Sequence, residues 1–479
     1  MKKGFMFYFA FLLLLVFGVA MVLMVILLCS PGTEIFGLKY FKSGETYICE
    51  TTTDDSKTLL EVGKTGKYSE IKIDAGYATV RVEHSTAYPK DSVVIVNDAR
   101  GFVRAKDEVK FKYSVLVDGS VLNIKVTEPN GFLHFSKNVK VIVHVANKTA
   151  NPFGSTKFTI KTDSGNIEFG GDTESPYVYD LNIGAINLKT KSGNIQFGTT
   201  INYNKDTKVQ TFSSATLNFG SGNYKSQANS LKVTGDLNLI STSGKFAVSN
   251  VQAGGNINIK TESSTYEVKK MTANNVNVEC KNGYFYINEI ASNLKFPNAD
   301  EKVDSPYLKS NKITGDLTVV SGNNFNMDVK NIEGNVTISN TSGNITIGSG
   351  KNTGIKGAAV ITTKSGNIKA YIQDGNDKVK QFTTDSGEVK LYLLGQVKET
   401  TIVNTKSGKT KVNFLTGKSY SFEFTNKSNN NAFDMKRVTF KDFPNTTMTN
   451  PYIYNPEAAE RGAIEIHTDS KVELALFTA

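Results

Sequence analysis

Thr-Lys-Ser-Gly-Asn-Ile at Thr363–Ile368 returns as Thr-Asp-Ser-Gly-Glu-Val at Thr384–Val389 and as Thr-Lys-Ser-Gly-Lys-Thr at Thr405–Thr410. Ser365 to Ser386 and Ser386 to Ser407 are each steps of 21 residues. Earlier Ser-Gly pairs end at Gly165, Gly193, Gly222, Gly244, Gly322 and Gly343, and the steps Ser342–Ser365 and Ser221–Ser243 are 23 and 22 residues. A near-constant step of this size marks stacked one-dimensional units, each too small to bury a core alone. The fold class expected is all-β: a single-stranded parallel β-solenoid (β-helix) of about 20–23 residues per coil, preceded by one N-terminal transmembrane helix.

After each Gly the residues alternate, as a half-buried strand requires. Ile368, Ala370 and Ile372 take one face and Asn367, Lys369 and Tyr371 the other. The next coils repeat this with Val389, Leu391 and Leu393 against Glu388, Lys390 and Tyr392, then Thr410, Val412 and Phe414 against Lys409, Lys411 and Asn413. Parallel coils lie ~4.8 Å apart, so equal positions stack. Thr363, Thr384 and Thr405 are therefore expected in a hydroxyl row, and Lys364, Asp385 and Lys406 in a charge-alternating row at the turn. The glycines at 165, 193, 244, 343, 366, 387 and 408 are expected to supply positive φ to that turn.

Composition agrees with a packed β protein. Apolar residues make 39% of 479, with 40 Gly, 10 Pro and no Trp, too apolar for a disordered chain and too Gly-rich for a helical bundle. A formal charge of +10 suits polyanions such as nucleic acid, anionic lipid or acidic wall polymer. The abundance of Lys, Asn and Ile is equally a base-composition bias, and no nucleic-acid partner is expected.

Gly4 to Cys29 is an uncharged apolar run behind Lys2 and Lys3. At 1.5 Å per residue it spans a hydrocarbon core of about 30 Å. It exceeds a signal-peptide core, and Leu28 is poor both before a cleavage site and before a lipidated Cys29, so an uncleaved anchor is expected. Lys2 and Lys3 place the N-terminus in the cytoplasm and the repeats outside the cell, with Lys39 and Lys42 weakening the asymmetry. The expected organisation is a signal-anchor over 1–30, a tether over 31–46, a β-rich N-terminal unit or cap over 47–157, the repeat array over 158–415, and C-terminal coils and cap over 416–479. Asp118-Gly119 reads as a hairpin turn. Loops are expected at 170–179, 296–302 and 373–379.

The T-x-S-G-x-[IV] phrase followed by an alternating strand resembles the bacterial "putative adhesin" β-strand-repeat domain family from Tyr68 to Phe414, best after Thr162. That resemblance implies a β-solenoid, often membrane-anchored, of unknown molecular function, and it brings no site residues with it.

Chemistry is sparse. His84, His134, His144 and His467 form no paired metal motif, although His134 and His144 are expected in adjacent strands. No nucleophile elbow and no phosphate-cradling Gly loop is present, and no cofactor is expected. Cys29, Cys49 and Cys280 have no ligand spacing; isolated thiols are favoured over a Cys49–Cys280 bridge. A glycosidase needs two carboxyl groups about 5–9.5 Å apart. Asp163 or Asp385 with Glu168 or Glu388 are the candidates, but Asp385 between Lys364 and Lys406 reads better as a structural ladder, and a non-enzyme is expected. Asn-x-Ser/Thr triplets at Asn147, Asn335, Asn340, Asn344, Asn426 and Asn445 follow from an Asn- and Thr-rich repeat.

The candidate binding face is Lys369, Tyr371, Lys390, Tyr392 and Lys411, stacked outward. Like charges in a file need counterions or a polyanionic partner, and tyrosines beside cations suit sugar rings or anionic glycans. The bland alternative is a solvated Lys row that guards against edge aggregation. The function expected is surface adhesion or binding of an anionic glycan, an envelope polymer or another surface protein. A structural spacer or sensor scaffold comes next, and a polysaccharide-acting enzyme third.

Overall fold

The computed structural model describes residues 2–29, 34–35, 38–42, 45–50, 68–84, 92–104, 112–127, 133–145, 156–170, 183–198, 203–204, 208–226, 228–296, 306–373, 378–428, 432–442, 449–455, 457 and 461–477. The expected loops at 171–179, 297–302 and 374–377 lie outside them. One long helix, Lys2–Cys29, precedes an otherwise all-β chain. Its large apolar side chains from Phe7 to Val22 are more than half exposed. Among the described residues no helix is long and apolar enough to cross a membrane; the side chains described in this one are those of residues 7–23.

Two compact units form, Met1–Ile183 with Leu188–Ile201, and Gly184–Asn187 with Asn202–Ala479. In the first, Glu70–Asp74 lies between Val121–Thr127 and Lys157–Thr162, parallel to both. Thr79–His84 lies likewise between Leu133–Val145 and Ile167–Phe169. The other edge of Leu133–Val145 is taken by antiparallel Ser92–Arg104, which also holds Leu38–Lys42 and Glu45–Glu50. Asp118-Gly119 turns a hairpin between Lys112–Asp118 and Val121–Thr127, with Gly119 at φ +57°.

In the second unit parallel ladders run from coil to coil. Ala359–Thr363, Lys380–Thr384 and Thr401–Thr405 form one ladder, and Ile368–Ile372, Val389–Leu393 and Thr410–Leu415 another. Burial alternates along Lys380–Thr384, Val389–Leu393 and Thr401–Thr405, so these strands place one face inside. Aromatic rings stack along the core as Tyr224, Phe246, Tyr266, Phe285, Phe296 and Phe325, with neighbouring centroids 4.8–5.8 Å apart. Tyr266 and Phe285 are stacked and the Phe285–Phe296 and Phe296–Phe325 pairs meet edge to face, geometries that stabilise beyond their buried area.

The C-terminal region departs from sequence order. Gly462–Thr468 pairs with Thr401–Thr405 on one edge and with Tyr420–Thr425 on the other, and Val472–Phe477 is likewise inserted between Thr410–Leu415 and Val438–Lys441. These later strands therefore sit inside the stack, and Tyr420–Thr425 and Val438–Lys441 lie outside them. Antiparallel Tyr452–Tyr454 covers Tyr420–Phe422.

Candidate functional site

The turn is built by Thr and Gly together. Thr363, Thr384 and Thr405 stack in register and are buried. The Thr384 hydroxyl accepts from the Gly387 N–H at 3.0 Å and donates to the Gly366 carbonyl of the preceding coil at 3.3 Å. Thr190 does the same with Gly193 and Gly165. Thr363 likewise accepts from the Gly366 N–H at 3.0 Å, whereas Thr405 meets hydroxyls, donating to Thr468 at 2.6 Å.

The glycine expectation is corrected. Gly343 has φ +110°, whereas the described positive-φ glycines do not include 165, 193, 244, 366, 387 or 408. What these positions need is close approach. A Cβ on Gly193, Gly244, Gly366, Gly387 or Gly408 would lie 1.6–2.1 Å from the glycine carbonyl oxygen one coil back, and one on Gly165 would lie 1.9 Å from the Ala78 carbonyl oxygen. Coils ~4.8 Å apart leave no room for a side chain between backbones.

The Lys364–Asp385–Lys406 row stacks at the turn, held by its backbone and not by ion pairs along it. Asp385 pairs with Lys427 at 3.7 Å, and among the described residues neither Lys364 nor Lys406 lies in ion-pair range of it. Backbone bonds hold the row instead, Asp385 N–H to Lys364 O at 3.1 Å and Ser407 N–H to Asp385 O at 2.7 Å.

On the outer face Lys369, Lys390 and Lys411 are in register, as are Tyr371 and Tyr392. The two rings stack at 4.2 Å and 5°. The Lys369 ammonium stands 5.6 and 5.8 Å from the Tyr371 and Tyr392 ring centres, and that of Lys390 stands 5.3 Å from Tyr392. Its contact with the Tyr392 hydroxyl holds the Lys390 ammonium above the usual lysine range, with Glu388 and Glu473 adding to it.

Two members differ from expectation. Tyr371 is only 8% exposed, because the preceding coil presses Gly348 and Gly354, both at positive φ, against it. A Cβ on Gly348 would meet the Tyr371 Cβ at 2.6 Å. Desolvation first, and then Tyr392, pushes the Tyr371 hydroxyl up. Lys411 is neutralised: its Nζ contacts Glu473, which also accepts from Lys409 at 2.6 Å. Those two lysines hold the Glu473 carboxyl down at about 2. Lys369 and Lys390 have no carboxylate in ion-pair range among the described residues.

Glu473 was not in the candidate set, yet Thr468-Asp469-Ser470-Lys471-Val472 is a shortened copy of the phrase that could have located it. From Thr405 to Thr410 the turn takes five steps and from Thr468 to Val472 four, so the Gly is dropped.

Three of the four carboxylates weighed for hydrolysis are held in ion pairs, Asp385 with Lys427 as above. Asp163 pairs with Lys191 at 2.8 Å, which lowers its pKa, and Glu168 pairs with Arg81 at 2.9 Å. His134 and His144 share one strand, Leu133–Val145, so their backbones are ~33 Å apart, not side by side. Cys280 is a buried thiol in register with Thr261, and burial pushes it up to about 12. Among the described residues no cluster of three or more His, Cys, Asp or Glu is arranged to hold a metal.

The sequence profile described as Toastrack DUF4097 matches residues 68–439. The chain belongs to that family. Among solved structures it is similar to one described as a "putative cell adhesion protein" from Clostridium sporogenes, at 6% identity over 91% of this chain and 98% of that one, TM-score 0.16. It is similar also to a "putative lipid binding protein" from Parabacteroides distasonis, 11% identical over 77% and 96%, TM-score 0.18. A "putative adhesin" from Parabacteroides merdae is 13% identical over 77% and 96%, TM-score 0.18. Scores of that size contribute nothing to the reading of function. No curated protein matches.

Proposed function

We propose that this chain is a membrane-anchored, extracellular, single-stranded β-solenoid whose outer face binds an acidic envelope polymer or glycan, and that it is not an enzyme. The carrying observation is the Lys369–Lys390 pair. The two lysines stand in register on adjacent strands whose backbones are ~4.8 Å apart, and like charges so placed repel. Neither has a described carboxylate within ion-pair range, Glu388 and Glu473 acting on Lys390 from farther off, whereas Lys411 in the same row contacts Glu473 directly. A carboxylate, sulfate or phosphate seated between them relieves that repulsion, beside the Tyr392 ring.

The anchor reading rests on the helix, whose described large apolar side chains, from Phe7 to Val22, are all exposed. Such a helix takes lipid as its solvent. Lys2 and Lys3 place its start in the cytoplasm.

The test is full-length protein in non-ionic detergent against acidic and neutral polysaccharides at physiological salt. Saturable binding to acidic polymers, sharply weakened in the K369E/K390E double variant, is expected. Equal behaviour of wild type and variant refutes it in favour of a structural spacer.

A further inference from the structure

The outer-face row that carries Lys369 and Lys390 continues towards the N-terminal side of the same unit. In register it reads Glu267, Tyr286, Lys309, Asp328, Thr346, Lys369, Lys390, each one coil from the next. Around Tyr286 the face opens into a groove of about 560 Å³, floored by Val268 and Ile287 and rimmed by Glu267, Lys309 and Asn288. Ala247 stands where a longer side chain would fill it. Tyr284 and Tyr286 are 46% and 41% exposed, and Tyr286 meets Tyr307 edge to face at 6.0 Å. Exposed ring faces beside amide and hydroxyl groups stack on the apolar face of a sugar and hydrogen-bond its edge.

The charges along the row are spaced, not continuous. Glu267 is spent on Lys245 at 2.7 Å. Lys309 is exposed and has no described carboxylate within 4.0 Å. Asp328 and Thr346 then separate it from Lys369 and Lys390. Asp328 opposes a ligand carboxylate at its coil, whereas the lysines on either side attract one.

We infer that this row is one continuous track for an extended acidic polysaccharide in which uronate rings alternate with neutral rings. A ring stacks at Tyr286, and carboxylates fall at Lys309 and at the Lys369–Lys390 pair. The inference rests on the proposed polymer contact at that pair and adds a second subsite with a defined separation. Tyr286 and Lys390 are five coils apart, ~24 Å, so only a chain spanning that distance engages both. Linked subsites raise affinity without any new contact.

The experiment measures full-length protein, in detergent, against hyaluronan oligosaccharides shorter and longer than ~24 Å. The long series is expected to bind at least about tenfold more tightly than the short. Y286A is expected to lose about tenfold on the long series and to erase the length advantage, whereas Y286F retains it. K369E/K390E is expected to bring long binding down to the short level. Tyr286 is on the surface, so circular dichroism should be unchanged in both tyrosine variants. If Y286A binds as wild type while K369E/K390E does not bind, the track is overturned and the lysine contact stands. Length-independent binding overturns the track. No saturable binding of either series overturns both the track and the polymer contact for this class of glycan.

Discussion

Gly387→Ala tests the reason the repeat carries glycine. A Cβ at that position would lie 2.0 Å from the Gly366 carbonyl oxygen, 2.6 Å from its carbon and 3.0 Å from the Thr384 hydroxyl. Ordinary contact needs ~3.5 Å, so the turn must move by about 1.5 Å against a ~4.8 Å coil spacing. Such a shift breaks the Gly387 N–H bond to Thr384, the Thr384 bond to Gly366 and the Asp385 and Ser386 N–H bonds to Lys364. At about 1 kcal/mol net for each, the expected loss is about 3–4 kcal/mol. The assay is urea unfolding followed by circular dichroism, with Gly350→Ala as the control, since nothing lies within 4 Å of a Cβ there. The control is expected to change stability by less than ~1 kcal/mol. A loss of less than ~1 kcal/mol in Gly387→Ala would refute close approach as the reason for the glycine. A stacked array need not unfold in one step, so the comparison is of the transition that includes this coil.

Glu473 makes a pH-dependent contribution. Its carboxyl titrates near 4.5 when unfolded and about 2 when folded, so its stabilisation is complete above pH 4.5 and is lost as pH falls towards 2. After allowance for partial solvent screening, wild type should exceed Glu473→Gln by about 2 kcal/mol at neutral pH and converge with it near pH 2; a constant difference across that window contradicts the assignment. Cys280, buried and pushed up to about 12, should resist alkylation at pH 8 until urea unfolds the coil, as read by peptide mass spectrometry. Labelling of Cys280 in the native protein at the rate of an exposed thiol would contradict its placement.

The constant step of 21 residues made the register of the Lys, Tyr and Thr rows legible from residue identity, since parallel coils stack equal positions. The role of the glycines was not. Recurrence says that a side chain is forbidden there, but a forbidden φ and a forbidden volume leave the same mark in a sequence. Tyr371 alternates as an outward residue and is nevertheless buried, because the cover comes from Gly348 and Gly354 in the coil before it. The groove at Tyr286 falls in the coils that lack the phrase, where only the exposed partners of Phe285 and Ile287 mark the face. The position of residues 462–477 was hidden for a different reason. An alternating strand of the right length fits either neighbour in a parallel stack, so its pattern specifies a coil without specifying which coil.

That insertion has a temporal consequence. A ribosome delivers Tyr420–Thr425 and Val438–Lys441 before residues 462–477, yet these earlier strands dock onto the later ones. Until the final strands emerge, Thr401–Leu415 ends in bare donors and acceptors with no partner in the order of synthesis. Closure of this end therefore waits for residues 462–477, and a chain shortened before Gly462 would leave the edges of Thr401–Thr405 and Thr410–Leu415 without these partners.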